Sequence, residues 1–545
     1  MDDLKCHGPS RRSIEIMSGI ISEFSKQMGL HLNNAKCGYY SSNSGDNDDT
    51  AGWVPPELTG SYKYLGIEQL EQDVEANYDI IKNKVEERTK SILESRLTSY
   101  QKRTLFNTSV IPAATYVLGQ ICPGDKFQTT LLRARQLDGV VRKLMVAENI
   151  KTRPTSNQRA YLPNKLGGLD FRSIETETEI QVVRKYIYLQ THPELAECRQ
   201  TYTRLDAAGW RSPLSEFRYL EQKYHLEPMR TDQPPKTVTK AYIETIKDQT
   251  SEARIREWSK AMAYPKLVVK HQEDHISFPA TRNLWMDSQK LSLLNAAAEE
   301  QLFALRARPG VTDDSALCRY GCGQRETAYH VVTSCGPTNY NTRHDQVVYW
   351  LLRLILKSTG AHEDIVKNLQ FGKAVLNVEY GDRDGDRYTV RAGQSVLLER
   401  KLHHNKPDIV VYRKGPRQKT FVFEVSIPHL QNYKTQEGIK RCKYQKNSVA
   451  EITNTNYQTV NRDLNLMTEL EAKHHCPAAL GLLIIGCYGE ILGTAEHKGL
   501  KELLAELGAT RTDVVYIIGR ACYSVVTSTS QIIARHIRGR SNTEG

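Results

Sequence analysis

Three thiols and one imidazole fall within 18 residues of this chain: Cys318, Cys322, His330 and Cys335. Three residues separate the first two cysteines, His330 follows after seven more, and Cys335 after another four. A tetrahedral zinc ion takes about four nitrogen or sulfur ligands, and short loop-spaced pairs supply them without long-range folding. Gly321 and Gly323 flank the second cysteine and allow a tight turn that aims both sulfurs inward. Thr327 to Thr333 reads as helical, which would carry His330 to the metal with Cys335 just beyond the helix end. With all four positions filled by protein, such a site is structural rather than catalytic. His344, in Tyr340-Asn-Thr-Arg-His344-Asp345, could replace one ligand but fits better in the next helix. The competing reading is three buried cysteines and an ordinary core histidine. Four ligands clustered this closely favour zinc.

A second group of residues lies downstream. In Lys406-Pro407-Asp408 the proline fixes the backbone just before a strand and leaves Asp408 at its mouth. Lys414 to Arg417 makes a turn, and Thr420 to Ser426 (TFVFEVS) returns antiparallel. Glu424 falls mid-strand, on the face opposite Phe421, Phe423 and Val425. An acid in an apolar strand is costly unless it binds a cation or pairs with a base. Two such carboxylates suit Mg²⁺, which prefers oxygen ligands and can activate water against a phosphodiester. The helix expected after them (QEGIKRCKYQKN, 436–447) sets Lys440, Lys443 and Tyr444 on one face. A lysine there could orient the attacking water or neutralise the phosphate. An edge hairpin with a surface Asp408, a salt-bridged Glu424 and a solvated basic helix would read the same way.

The elements that must position these residues follow from composition and pattern. A chain of 545 residues is too long for one core and should divide into three or four domains. Its 74 Lys and Arg against 63 Asp and Glu leave a net charge of +11, which fits a polyanionic partner without requiring one. Eleven cysteines, three of them in one cluster, do not make a disulfide framework; this is the usage of a reducing compartment. The N-terminus has no apolar signal segment, and the longest apolar run, Ala478 to Cys487, is half a membrane span. These features predict a soluble, intracellular protein and no membrane partner.

Residues 11–40 predict a helix, a turn at Gly29 and a short strand. A polar loop over 41–56 precedes an alternating strand, Ser61 to Glu68. From Val74 to Ala147 the pattern is helical and basic, with Arg88, Lys90, Arg96, Lys102, Arg103, Arg133, Arg135, Arg142 and Lys143 among the apolar positions. A turn-rich connector spans Pro154 to Asp170, helices run to about Lys223, and Glu227 to Thr237 is a linker candidate. Further helices run to Arg308. Beyond Asp345 the order becomes mixed: helix Gln346 to Ser358, two strands within Asp408 to Ser426, helix Gln436 to Glu451, strand Ala478 to Cys487 and helix Leu500 to Leu507. That order predicts an α/β domain of about 170 residues.

Taken together, Lys406-Pro407-Asp408, Glu424 and Lys440-x-x-Lys443-Tyr444 resemble the restriction-like PD-(D/E)xK endonuclease of site-specific non-LTR retrotransposons. In that family the domain follows a three-Cys-one-His zinc motif, as here, and the stretches GQRETAYH (323–330) and RHD (343–345) are also similar to the family's pattern. The position two after Glu424 is Ser426 rather than lysine. The family shows the same displacement, with a lysine matching Lys440. Met1-Asp2-Asp3 resembles the end of the reverse transcriptase motif whose adjacent aspartates hold Mg²⁺. Gly29-Leu30 and NNAKC (33–37), with Lys36, resemble the next palm motif, and YKYLGI (62–67) the primer-grip hairpin. LPNKLGGL (162–169) is similar to a segment found after the thumb.

The resemblance implies a multidomain α/β chain with an α-helical middle. Its parts would be a palm remnant (1–70), thumb-like basic helices (71–150), a helical linker region (151–311), a zinc module (312–345) and a restriction-like endonuclease (346–535). It implies a Mg²⁺-dependent DNA endonuclease that nicks target DNA for target-primed reverse transcription. Asp408 and Glu424 would carry the metal, Lys440 would act at the phosphate, and Lys443 or Tyr444 would assist. Asp2, Asp3 and Lys36 would belong to an RNA-directed DNA polymerase whose first half lies before Met1, so this chain alone would not polymerise. The implied cofactors are Zn²⁺ and Mg²⁺. The implied partners are target DNA, element RNA and the missing N-terminal part of the polyprotein, in the nucleus. The alternatives are a non-catalytic, zinc-dependent nucleic-acid-binding protein and the product of a decayed element.

Overall fold

The computed structural model describes residues 4–33, 36–39, 62–69, 73–120, 126–153, 155–229, 232–261, 263–280, 288–299, 317–382, 385–400, 402, 404–445, 464–493 and 495–538. Asp2 and Asp3 lie outside these residues. The chain is a mixed α/β protein with a two-stranded and a five-stranded sheet. It forms two compact units, each drawn from separate stretches. One comprises Met1–Arg88, Ser109–Asp138 and Glu177–Ile243; the other comprises Thr89–Thr108, Gly139–Thr176 and Glu244–Gly545.

In the first unit, Ser10 caps the helix Arg11–Gln27 by accepting from the Ser13 amide. The apolar side chains Ile16, Ile20 and Phe24 on that helix are exposed. Strands β1 (Tyr62–Tyr64) and β2 (Ile67–Gln69) pair antiparallel, so the single strand expected over 61–68 is a hairpin. Its two turn residues, Leu65 and Gly66, have φ of 48° and 80°, the left-handed pair that a two-residue hairpin demands. Arg133 is ion-paired to Glu75, and Arg88 donates to the Ser109 carbonyl. Two buried carboxylates are satisfied here: Glu216 by Lys185 and Arg211, and Glu179 by Lys223 and the Tyr224 hydroxyl. Burying these charges is tolerable because each meets more than one donor.

The second unit holds the five-stranded sheet in the order β3 (Leu376–Gly381), β4 (Arg387–Ala392), β5 (Ile409–Lys414), β6 (Lys419–Ser426) and β7 (Ala478–Ile484). The first four run antiparallel and β7 joins β6 in parallel, with Glu424 opposite Leu482. The crossover from β6 to β7 carries the helices Tyr433–Gln445 and Leu466–His474. It covers one sheet face with a core of Val410, Tyr412, Val422, Tyr444, Leu466 and Leu470. Val411, Phe421, Phe423 and Val425 point the other way and are also buried, which explains why β6 reads as a nearly continuous apolar run. The long helices Asn341–Ser358 and Arg511–Arg538 pack together, with the Trp350 indole donating to the Ser524 hydroxyl at 2.9 Å.

Several basic residues of the segment read as thumb-like basic helices are engaged within the protein. Lys102 is 7% exposed and donates to the Leu93 carbonyl at 2.7 Å, satisfying an orphan group near the end of the helix Asp73–Glu94. Arg103 pairs with Asp170, and Arg142 donates to the Tyr161 hydroxyl. The connector 154–170 contains a short helix, Asn157–Tyr161, and a turn closed by Gly167 at φ +74°. No helix among the described residues is long and apolar enough to cross a membrane.

Candidate functional site

The four ligand candidates converge. Cys318, Cys322, His330 and Cys335 present one ligand atom each, all within 4.8 Å of one another. Gly321 and Gly323, on either side of Cys322, turn the chain there with φ of +71° and +73°. Thr327 caps the helix Ala328–Thr333 and so fixes the turn that carries His330. The Cys318 and Cys335 sulfurs are 3.7 Å apart, and Cys322 Sγ is 3.1 Å from His330 Nε2. Two thiolates each about 2.3 Å from one tetrahedral ion would lie about 3.8 Å apart, so this donor set fits a metal ion. Burial pushes the Cys318 thiol up to about 12, aided by its neighbouring thiols, a cost that a bound cation would reverse. Burial lowers His330, favouring the neutral ring that ligates.

The same module contains a residue that spacing gave no reason to choose. His536, fully buried on the helix Arg511–Arg538, brings Nε2 to 2.7 Å from Glu326 Oε1 and 3.9 Å from Cys318 Sγ. Arg319 pairs with Glu326 and donates to the Ile537 carbonyl. Its separation of 218 residues from Cys318 left no local signal.

The two acidic residues are neighbours across the strand pair. The Asp408 amide donates to Glu424 Oε2 at 3.1 Å, and Asp408 Oδ2 accepts the Val425 amide at 2.7 Å. Pro407 and the β5–β6 register bring this about, since Ile409 pairs with Phe423 and the next step outward juxtaposes the two acids. Lys440, one helix turn beyond Gln436, donates to Glu424 Oε1 at 2.5 Å. Lys443 stands over the Tyr444 ring at 5.0 Å. Tyr444 is fully buried and donates to the Lys406 carbonyl at 3.1 Å, so it braces the segment that presents Asp408. The five residues expected at this site are therefore assembled on one end of the sheet. Lys36 lies elsewhere, in the first unit, its amide donating to the Asn33 carbonyl.

His344 was expected in a helix and is found there, in the first turn of Asn341–Ser358, which begins five residues before the expected Gln346. Its Nε2 is 3.2 Å from Asp408 Oδ2 and its Nδ1 is 3.2 Å from Asp345 Oδ1. Burial would lower this imidazole, but the Asp408 and Asp345 carboxylates outweigh it and push it up to about 9. Burial would likewise raise Asp408; the hydrogen bond and charge of His344, the Val425 amide and Lys440 hold it below its ordinary value. Glu424, 3% exposed, is raised by burial and by the charge of Asp408, against the pull of Lys440. One carboxylate is thus kept ionised beside another that resists ionisation, a pattern characteristic of sites that do acid–base or metal chemistry.

Among the described residues no donor meets Asp408 Oδ1, and the Asp408 side chain is 18% exposed. Hard oxygen donors, a partly open edge and surrounding cations suit a divalent ion with an anionic ligand beside it. No protein-family model matches the chain, and no curated protein matches it.

Proposed function

We propose that this chain is a metal-dependent DNA endonuclease of the kind carried by site-specific non-LTR retrotransposons, with a structural zinc module ahead of the nuclease fold. The observation that supports the reading is that the Asp408 amide donates to the Glu424 carboxylate beside the partly exposed Asp408 side chain, with Lys440 closing on Glu424 from the next helix.

In this reading Asp408 and Glu424 hold Mg²⁺ through carboxylate oxygens, and Cys318, Cys322, His330 and Cys335 hold Zn²⁺. Bound Mg²⁺ would lower the pKa of a water and draw charge from the scissile phosphate. The Val425 amide holds Asp408 Oδ2, which leaves Oδ1 free to meet a metal. Lys440 holds Glu424 in place, and in this reading it would stabilise charge developing on a phosphate oxygen. Lys443, its pKa lowered by burial, adds a second cation on the same helix face. Tyr444 braces the Lys406 segment, lies against Glu424 and would assist there. Target DNA and element RNA are the proposed partners, in the nucleus. Contacts would be mostly to backbone phosphates and therefore salt-sensitive. Supercoiled DNA incubated with the zinc-loaded protein in Mg²⁺ tests the reading: open circles should accumulate, and a DNA left intact would refute it.

A further inference from the structure

The Asp408 carboxylate is held by two donors on the same oxygen. The Val425 amide reaches Oδ2 at 2.7 Å from the neighbouring strand, and His344 Nε2 reaches it at 3.2 Å from a helix 64 residues earlier in the chain. The terminal torsion of aspartate is broad and two-fold, so one donor leaves the carboxylate plane free to swing. Two donors from different elements fix it.

His344 is itself fixed. Its other nitrogen meets Asp345 Oδ1 at 3.2 Å. The residue before it, Arg343, is 3% exposed and donates to the Val332 carbonyl and to the Thr529 hydroxyl, each at 3.0 Å. Tyr340, one turn earlier, donates to the Val331 carbonyl at 2.8 Å and accepts the Cys335 amide at 2.9 Å. The start of this helix is therefore bonded to the cysteine–histidine module. A surface histidine that touched Asp408 by chance would not need such anchoring.

We propose that His344 is a positioning residue for the metal-facing carboxylate of Asp408, holding Oδ2 so that Oδ1 is presented to a divalent cation. The inference rests on the endonuclease reading only in taking Asp408 as a metal ligand. It assigns His344 no contact with DNA. Losing an outer-shell partner of a ligand lowers metal affinity about 10- to 100-fold.

Mn²⁺ is the probe, followed through the electron paramagnetic resonance signal of the free ion as it is taken up by the full-length, zinc-loaded protein. Asp408→Ala should abolish one binding event. His344→Ala should weaken that event about 10- to 100-fold while the melting temperature holds. His344→Gln, which keeps an N–H donor near the same place, should recover most of the affinity. Wild-type affinity in His344→Ala overturns the proposal, as does a His344→Gln variant as weak as His344→Ala. No Asp408-dependent uptake by the wild type overturns it together with the metal site. Uptake that depends on His344 in a protein that cuts no DNA upholds the positioning role and refutes the endonuclease reading.

Discussion

The Arg343 guanidinium donates to the Val332 carbonyl at 3.0 Å and so ties the helix of the metal-ligand module to the residue beside His344. A second tie runs from Asn432, which donates to the Tyr329 hydroxyl at 2.8 Å just before the helix that carries Lys440. The cysteine–histidine module thus touches both helices that converge on Asp408 and Glu424.

Metal removal from the module should therefore reach the carboxylate site. Structural zinc contributes on the order of 10 kcal/mol to folding of small modules. Stripping it, or changing Cys335 to Ser, should lower the melting temperature by more than 5 °C. DNA nicking should not return when Mg²⁺ alone is added back. Thermal melts and nicking assays with and without added Zn²⁺ check this; an unchanged melt would show that the four side chains bind nothing of structural consequence.

Lys440 and Glu424 should be interdependent. Lys440→Met leaves a carboxylate that is 3% exposed without its nearest cation, at a cost of about 3 kcal/mol. Adding Glu424→Gln should restore most of that stability, because the charge that lacked a partner is gone. Nicking should fall about 100-fold in either single variant and stay low in the double one. Urea denaturation of the four proteins gives the coupling. Additive stability losses would mean that the pair is not the buried contact described.

The imidazole of His429 is buried against Tyr264, Tyr329 and Tyr488, and burial lowers it to about 4. The unfolded chain, with an ordinary histidine near 6.5, binds the proton first. Stability contributed by the neutral ring is complete above about pH 6.5 and is lost as the pH falls towards 4. The loss should amount to about 3 kcal/mol relative to a His429→Gln variant, at 1.36 kcal/mol per unit. Denaturation curves at pH 7, 5.5 and 4.5 should show wild type losing ground to the variant. Parallel curves would count against a neutral buried ring.

Gly168 admits no side chain. A Cβ there would lie 2.0 Å from the Leu162 carbonyl oxygen, with backbone rather than a flexible tip in the way. Gly168→Ala should destabilise the unit by more than 2 kcal/mol, within the larger class of single-residue effects. Gly139→Ala, where the nearest neighbour is a side-chain tip at 3.8 Å, should change little. Their difference in urea midpoint measures the clash.

Much of the site was legible because its signals are local. The four candidate metal ligands occupy one loop and one short helix, and Pro407, Asp408 and Glu424 lie on a tight hairpin whose register follows from alternation. His344 was weighed only as a substitute zinc ligand, not as a partner of Asp408, and His536 was not singled out. Each acts across a long sequence separation, 64 residues to Asp408 and 218 to Cys318, and nothing in local pattern reports such a contact. Strands β3 and β4 were missed because their polar alternation, with Glu379, Arg387 and Arg391, weakens the apolar signal of an outer pair. Lys102 shows the opposite failure: its type argued for an exposed cation, while the carbonyl at a helix end drew it inside. At Leu65–Gly66 alternation alone read one strand, while the resemblance of residues 62–67 to a hairpin is what the β1–β2 pairing shows.

The most direct test compares wild type with Asp408→Ala, both zinc-loaded, on supercoiled DNA in Mg²⁺. The predicted result is conversion to open circles by the wild type and a loss of at least about 100-fold in the variant. Equal nicking by both would show that the activity does not reside at this site. No nicking by the wild type on any DNA, including a long genomic mixture, would contradict the endonuclease assignment itself.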